Sequence, residues 1–353
     1  MMKRRLQSLP ACFTFLTVCF FFFLLLLLTA PRRIQAQTVI SFDRASVNVM
    51  KGKSRQLGIR CKDKYTVRST DTSIATVTHS GLVKGKKPGD CEIVVKSGDE
   101  SATIPVHVLR SLRSKSGEFL FMGHRGYQDQ YPENTIPSFQ GALDYGADGV
   151  EFDVWCTKSQ DLLVFHDATL NRMCKKNGSI RSLTESSRRK YKVTRRGKKA
   201  SIPTLEETLR FLKQNDAWAF IHLKYHGGPE YFGERADLVA DCVRETGMTE
   251  KSVVFCSSGS TVSFFKKNHP DIALGFFYGG SSAAQARSYM SKAKRWGADW
   301  FYLYQKAPIT YQNVKFAHEL GLKIGLYQTT TKKQILDLLD FGADFSMMYH
   351  KLI

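Results

Sequence analysis

No two cysteines of this chain have the Cys-x-x-Cys spacing of a metal site, and acidic residues are scarce. The 353 residues include 32 acidic and 52 basic side chains, which gives a formal net charge of +20. The cysteine spacing excludes a metal site built on cysteine pairs. The charge favours anionic partners such as phospholipid headgroups, anionic polymers or phosphodiester substrates. Because no nucleic-acid recognition motif is present, we expect no nucleic acid partner.

Charge is also absent from the twenty residues between Ala11 and Ala30, which follow Lys3-Arg4-Arg5. This pattern indicates a secretory signal peptide or an uncleaved membrane anchor over residues 1–36. Either alternative places the rest of the chain outside the cytoplasm, in the extracellular space or at the cell surface. The first 36 residues hold five basic and no acidic side chains, so the remainder keeps a net charge of +15.

Residues 38–109 have the pattern of short β-strands separated by turns. Apolar and polar residues alternate, and glycine-containing turn signals recur between the runs. About 70 residues of this kind predict a small all-β sandwich. The runs Ser73-Ile74-Ala75-Thr76-Val77 and Gly81-Leu82-Val83 resemble bacterial Ig-like domains of group 2. Cys61 and Cys91 share the inward parity of their strands, so we weigh an inter-sheet disulfide against two buried thiols.

Beyond a polar linker at residues 110–117, strand-like runs alternate with helix-like runs, as in a parallel sheet covered by helices. The connection between the second and third strands is too short for a helical crossover. The third is therefore expected to return antiparallel beside the second, which leaves the eight strands of a (β/α)8 TIM barrel over residues 118–353. The nine strand-like runs are residues 119–123, 149–155, 162–166, 218–224, 252–257, 272–278, 299–304, 323–328 and 344–349, of which 162–166 is the returning strand.

Histidines, carboxylates and an arginine follow several of these apolar runs. The segments are Gly123-His124-Arg125-Gly126, Pro132-Glu133-Asn134-Thr135, Glu151-Phe152-Asp153 and His166-Asp167. Histidine exchanges protons near neutral pH, and arginine matches the oxygens of a phosphate. Glu151 and Asp153 are two apart on one strand, so their side chains share a face. They form either a site for a hard cation or a solvated acidic pair.

These segments, in this order and spacing, resemble the glycerophosphodiester phosphodiesterases, and the resemblance extends from about Glu118 to the C-terminus. It implies metal-dependent hydrolysis of glycerophosphodiesters to glycerol 3-phosphate and an alcohol. His124 and His166 would be the general acid and base. In the family's usual course, the neighbouring hydroxyl of the glycerol attacks phosphorus, and water opens the cyclic phosphate.

The resemblance also implies roles for the residues around the two histidines. Glu151 and Asp153 would bind one divalent cation, Ca²⁺ or Mg²⁺. Arg125 and Lys224 would hold the phosphate. Glu133 and Asn134 would belong to the metal and substrate loop, with a purely structural loop as the alternative.

His222 departs from this family pattern, which has a glutamate as the third ligand at that position. Imidazole suits Mn²⁺ or Zn²⁺ better than Ca²⁺ or Mg²⁺. Three interpretations stay open: a softer metal, weak binding of Ca²⁺ or Mg²⁺, or a catalytically impaired surface module that binds anionic phosphodiester polymers. A phospholipase D-like activity on lysophospholipids is a further alternative.

Two other features bear on the substrate. Tyr327 can provide an aromatic wall for the glycerol group, whereas Tyr302 and Tyr304 serve either as lining or as core. Eight of the twelve residues from Arg188 to Lys199 are basic and none is acidic. This run is a solvated loop or a docking surface for an anionic polymer, a membrane or a cell wall.

Overall fold

The protein is described by a computed structural model over residues 40–115, 118–224, 232–304, 309–349 and 351. The expected signal peptide or anchor at residues 1–36 lies outside these ranges. Within them, no helix combines the length and the apolar character that a membrane span requires.

The N-terminal part is a small all-β sandwich, as the alternating pattern predicts. Its sheets have the strand orders β2-β9-β8-β5 and β3-β7-β6, with a further β1-β4 pair. Inward residues such as Val49, Ile93 and Val106 are fully buried between the sheets. The strands are β1 (Ser41–Phe42), β2 (Val47–Met50), β3 (Ser54–Gln56), β4 (Ile59–Arg60), β5 (Thr66–Ser69), β6 (Ala75–Val77), β7 (Leu82–Gly85), β8 (Gly89–Ser97) and β9 (Glu100–Leu109).

The expected disulfide between Cys61 and Cys91 is wrong, because both thiols are free and half-buried. Cys61 lies beyond the end of β4, where strand parity no longer fixes its direction. Cys91 contacts the Ser69 hydroxyl at 3.7 Å instead. Parity along a strand predicts which face a side chain occupies, but it does not predict which partner lies opposite.

The C-terminal part is a closed barrel of eight parallel strands, as predicted. The strand order is β10-β20-β19-β18-β17-β16-β15-β11, and β10 also pairs with β11 to close the barrel. The eight barrel strands are β10 (Leu120–His124), β11 (Gly149–Cys156), β15 (Trp218–Leu223), β16 (Ser252–Cys256), β17 (Ala273–Tyr278), β18 (Trp300–Tyr304), β19 (Lys323–Thr329) and β20 (Phe345–Met348). Three further strands, β12 (Leu162–Val164), β13 (Lys192–Arg195) and β14 (Lys198–Ser201), form antiparallel pairs.

Helices cover the outside of the barrel. Three of them begin with capping boxes, in which Thr184, Thr204 or Thr331 bonds the third helical residue reciprocally. The helices are α1 (Ile136–Asp144), α2 (Asn171–Cys174), α3 (Glu185–Arg188), α4 (Leu205–Gln214), α5 (Phe232–Glu245), α6 (Gly259–Asn268), α7 (Ala283–Trp296), α8 (Tyr311–Glu319) and α9 (Lys332–Phe341). Short 3-10 helices lie at Leu112–Lys115, Ile180–Ser182 and Thr249–Lys251.

The barrel interior is filled with large aromatic side chains rather than left open. Phe220, Phe255, Trp300, Tyr302 and Phe345 form one buried cluster inside the strands. Such packing closes the inside of the barrel and leaves the strand ends for polar chemistry.

The short return strand β12 pairs antiparallel with the end of β11, with Val154 opposite Val164. This confirms the predicted hairpin, which directs His166 back toward the C-terminal ends of the barrel strands. The sequence pattern did not predict the second hairpin, β13-β14.

A buried ion cluster joins the sandwich to helix α9. Asp340 is fully buried and accepts from Arg44 at 2.7 Å, from Arg55 at 2.5 Å and from the Asn48 backbone at 2.6 Å. Burial raises the pKa of Asp340, and Arg55 and Arg44 offset part of that rise. The sandwich is therefore held to the barrel by the polar contacts of Asp340 as well as by the chain connection.

We expect Asp340→Ala to lower the free energy of unfolding by about 3 kcal/mol, because two guanidinium groups lose their shared buried carboxylate. Urea unfolding of the full chain measures this loss. The neighbouring Asp337 pairs with Arg55 at 2.7 Å but is partly exposed. Asp337→Ala is therefore the control, with an expected loss below about 1 kcal/mol. Equal losses in the two variants would contradict the central role of Asp340.

Candidate active site

Two carboxylates at the C-terminal half of β11 form the centre of the site. Glu151 and Asp153 are both 1% exposed. Asp153 is fully engaged: its carboxylate contacts Lys224 Nζ at 2.7 Å, Asn134 Nδ2 at 2.9 Å and His222 Nδ1 at 3.2 Å. Both oxygens of Glu151, in contrast, are buried without a hydrogen-bond partner. Such a carboxylate is costly unless a proton or a cation satisfies it.

The two carboxylates have opposite pKa shifts. Burial, followed by the charge of Asp153, raises the pKa of Glu151. Burial also tends to raise the pKa of Asp153, but Lys224, His222 and Arg125 together lower it well below its usual value. The surrounding cations therefore stabilise the negative charge on Asp153 more than on Glu151.

His222 and Lys224 come from the neighbouring strand β15, on which His222 lies directly opposite Asp153. The His222 Nδ1 atom is also 3.9 Å from a Glu151 oxygen. One ligand atom from each of Glu151, Asp153 and His222 lies within 4.8 Å of the others. Burial lowers the pKa of His222, which favours the neutral imidazole that ligates metals. These three side chains fit a divalent cation, and the strongest sign of one is that the Glu151 carboxylate makes no hydrogen bond within the described residues.

The loop after β10 bends sharply to place Arg125 against the carboxylates. Arg125 and Asn134 have left-handed backbone conformations, with φ of 54° and 57°. Gly126, with φ of 81°, passes so close to Ser138 that a Cβ atom would lie 2.5 Å from its hydroxyl. The Arg125 guanidinium consequently reaches Asp153 at 3.3 Å and Glu133 at 3.0 Å. Strained backbone of this kind clusters at functional sites.

His124 is held in one tautomer by Gln128. The Gln128 amide nitrogen donates to the His124 backbone oxygen at 3.0 Å and lies 2.9 Å from Nδ1 of the ring. The backbone contact fixes which end of the amide faces the ring, so Nδ1 must accept the second amide hydrogen. The ring proton is then on Nε2, which lies 2.8 Å from the Tyr327 hydroxyl. Burial, followed by Arg125, lowers the pKa of His124 well below its usual value, so the ring is neutral.

His166 is set in the opposite tautomer. Its Nδ1 lies 2.6 Å from Asp167, and a carboxylate can only accept, so Nδ1 carries the proton. The neutral ring therefore presents a lone pair at Nε2. Burial lowers the pKa of His166. The charges of Arg125 and Lys224 lower it further, whereas the charge of Asp153 opposes this shift.

Arg172 ties the His166 side of the site to the Arg125 loop. Its guanidinium contacts Asp167 at 2.6 Å and Glu133 at 2.6 Å. Burial alone would raise the pKa of Asp167, but Arg172 and His166 lower it, so this carboxylate stays ionised. A chain of alternating charges therefore runs from Asp167 through Arg172 and Glu133 to Arg125, and the neutral His166 contacts its Asp167 end.

Tyr327 comes from β19 at an irregularity between Leu326 and Thr329, where the pairing register with β20 shifts. A bulge of this kind re-aims side chains, and Gln328 there has a φ of 60°. The Tyr327 ring meets His124 edge to face, with ring centres 4.8 Å apart, and stacks on Tyr302, with ring centres 5.6 Å apart. Tyr302 is 1% exposed and is part of the core, whereas Tyr304 is half-buried beside Tyr327.

We expect Gln128→Glu to move the ring proton of His124 from Nε2 to Nδ1, because a carboxylate accepts where the amide donates. The ¹⁵N chemical shifts of the two ring nitrogens report the change directly. Gln128→Leu is the matched control, since it removes the contact without reversing it. Unchanged nitrogen shifts in Gln128→Glu would contradict the assigned tautomer.

The structure brings together every site residue that the motifs predicted, from His124, Arg125, Glu151, Asp153 and His166 to His222, Lys224 and Tyr327. Gln128 and Arg172 were missed. Each lies four or five residues beyond a predicted histidine or aspartate, and only the path of the loop reveals the contact.

Comparison with known proteins identifies both parts of the chain. The glycerophosphoryl diester phosphodiesterase family matches residues 124–347. The bacterial Ig-like domain of group 2 matches residues 36–106.

Two relatives with sequence similarity are both named glycerophosphodiester phosphodiesterase. The one from Caldanaerobacter subterraneus subsp. tengcongensis is 31% identical over 163 residues, 45% of this chain and 66% of that protein. The one from Bacillus altitudinis is 29% identical over 161 residues, 43% of this chain and 63% of that protein. This chain therefore spans just under two thirds of the length of each.

The fold also matches solved structures. A phosphodiesterase from Oleispira antarctica, solved in complex with the product sn-glycerol-3-phosphate, superposes with a TM-score of 0.58. The identity is 20%, over 67% of this chain and 95% of that one, which establishes the shared fold. With the family match covering more than half of its residues, the chain belongs to the glycerophosphoryl diester phosphodiesterase family.

Proposed function

We propose that the barrel hydrolyses glycerophosphodiesters to glycerol 3-phosphate and an alcohol with the help of one divalent cation. The observation that carries this proposal is the buried Glu151 carboxylate, which accepts no hydrogen bond from the described residues, beside two histidines held in opposite tautomers. A structural role would leave Glu151 paired within the protein. Family membership and the names of the relatives support the same reaction.

Glu151, Asp153 and His222 would hold the cation, which supplies positive charge for the oxygens of the phosphate when it is bound. Two carboxylates and one imidazole suit Mn²⁺ or Zn²⁺, and they bind Ca²⁺ or Mg²⁺ less tightly than three carboxylates would. Lys224 contacts Asp153 on the same side of the site and would serve the phosphate as a point charge.

The opposite tautomers give the two histidines different roles. His166 accepts the proton of the attacking hydroxyl at Nε2, and the ionised Asp167 stabilises the imidazolium that forms. His124 would donate a hydrogen bond from Nε2, which now faces Tyr327, to the departing alkoxide oxygen, and that alkoxide would take its proton from water. Arg125, which is held between Asp153 and Glu133, orients the phosphate.

The proposal is tested by identifying the reaction products that the full chain forms from two substrates. The products also distinguish the proposed activity from the alternative functions. We expect glycerophosphocholine to yield glycerol 3-phosphate and choline, and ³¹P NMR can monitor this reaction. Lysophosphatidylcholine is the second substrate. If the protein converts it to lysophosphatidic acid faster than it hydrolyses glycerophosphocholine, the activity is phospholipase D-like instead. Binding of both substrates without turnover under any divalent cation would favour the impaired surface module.

We further propose that the protein is exported through its apolar N-terminal segment and acts outside the cytoplasm. The support is the uncharged run after Lys3-Arg4-Arg5 and the group 2 Ig-like domain that follows. Fractionation of expressing cells tests this, and recovery of the full-length chain in the cytoplasm would contradict it.

A further inference from the structure

The basic run between Arg188 and Lys199 leads from the end of helix α3 into an ordered hairpin, β13-β14, rather than forming an unstructured loop. Strands β13 and β14 pair antiparallel, and Val193 is fully buried in a small core with Met173 and Ile180. Strand β13 packs on helix α2, which carries Arg172 of the site. The hairpin is therefore fixed relative to the site.

The cations on this hairpin have no acidic counterparts. Arg195, Arg196, Lys198 and Lys199 are all exposed. Across the described ranges, none of the four forms an ion pair. Arg125, Arg172 and Lys224, in contrast, each contact at least one carboxylate. Four unpaired cations on a rigid support form a pre-organised anion-binding surface.

The hairpin lies beside the loop that builds the site. Lys198 Nζ sits 3.7 Å from the centre of the Tyr131 ring, and Tyr131 directly precedes Pro132 and Glu133. A cleft of about 500 Å³ separates the hairpin from the start of helix α1, with Lys199 and Ile136 among its lining residues. The acidic residue in the lining of this cleft is Glu207. Glu207 is paired with Arg188 at 2.6 Å, so Glu207 does not neutralise Lys199.

The character of this surface favours a soluble polyanion over a bilayer. Peripheral membrane binding combines basic residues with exposed apolar side chains that enter the headgroup region. Within the described ranges, the exposed large apolar side chain is Leu82, which belongs to the sandwich. The hairpin therefore offers charge without an apolar anchor.

We propose, building on the phosphodiesterase activity above, that the hairpin and its cleft bind a further phosphate of the substrate. The preferred substrates are then glycerophosphodiesters whose alcohol carries additional phosphate groups, as in a chain of phosphodiester-linked glycerol units. Guanidinium and ammonium groups bind phosphate oxygens through charge-assisted hydrogen bonds. The scissile phosphate occupies the site while the next one in the chain contacts the hairpin.

The test compares kcat/KM for glycerophosphocholine and for a short oligomer of phosphodiester-linked glycerol, using the full chain. In the variant R195Q/R196Q/K198Q/K199Q, we expect kcat/KM for the oligomer to fall about tenfold or more, the loss of at least one charge-assisted contact. The value for glycerophosphocholine should change less than about twofold, and added salt should shrink the oligomer effect. The matched control R68Q/K84Q/K86Q/K87Q removes four exposed charges from the sandwich and should affect neither substrate.

An equal change for both substrates would overturn the proposal. So would an unchanged oligomer value accompanied by lost binding to phosphatidylglycerol vesicles, which would assign the hairpin to a membrane surface. If glycerophosphocholine is not hydrolysed at all, the proposed function fails. In that case, calorimetry measures the affinity of the wild type and of the hairpin variant for the oligomer. Weaker binding by the variant would support the hairpin as a phosphate-binding surface, and equal binding would contradict it.

Discussion

His166→Ala is expected to lower kcat for glycerophosphocholine by about 10³-fold, within the range for loss of a general base. The reason is geometric: Asp167 fixes the Nδ1 proton of His166, so Nε2 is the lone pair that can take a proton. Phosphate binding rests on Arg125 and Lys224 instead, so KM should change little. Steady-state kinetics with saturating cation measure both constants.

Two controls accompany this prediction. His107→Ala removes a histidine of the sandwich that pairs with Asp90 at 2.7 Å, and it should leave kcat unchanged. Added imidazole should restore part of the activity of His166→Ala, because it supplies the missing base. A loss in KM with an unchanged kcat would contradict the base role and would place His166 in substrate binding.

His222→Glu is expected to raise the affinity for Ca²⁺ or Mg²⁺ by about tenfold or more, since a third carboxylate adds a hard ligand and charge. Affinity for Zn²⁺ should rise less or fall, because the soft imidazole is lost. His222→Gln is the control: it offers an oxygen without charge and should weaken binding of every ion. Calorimetry on metal-stripped protein measures the affinity of each variant for Ca²⁺, Mg²⁺ and Zn²⁺, and unchanged values in His222→Glu would show that this side chain is not a ligand.

The same titration has a defined pH dependence. Burial and the charge of Asp153 raise the pKa of Glu151, so the carboxyl is protonated in the metal-free protein over a wider pH range than usual. A cation must displace that proton, so its affinity should rise with pH and its binding should release protons. Buffers of different ionisation enthalpy would reveal the released protons in the calorimetric heat.

The residues at the strand ends could be predicted from the sequence because each motif follows an apolar run. Parallel strands bring their C-terminal ends to one rim, so His124, Glu151, Asp153 and Lys224 had to converge once the barrel was inferred. The short connection after β11 fixed the return of His166 by length alone.

The remaining features depend on loop paths that periodicity does not encode. Gln128 meets His124 because a left-handed turn at Arg125 and Gly126 folds the chain back. Arg172 reaches Glu133 across 39 residues of sequence. The basic run reads as a loop because lysine and arginine carry little strand preference, and only the buried Val193 reveals the hairpin.

The most direct test of the account is release of glycerol 3-phosphate from glycerophosphocholine by the metal-stripped full chain, before and after adding Mn²⁺, beside Glu151→Gln. We expect no turnover without metal, turnover with Mn²⁺, and loss of the Mn²⁺ response in Glu151→Gln, because the amide cannot replace the partner-free carboxylate. Turnover that is indifferent to chelation, or an unchanged Mn²⁺ response in Glu151→Gln, would contradict a cation site at Glu151, Asp153 and His222.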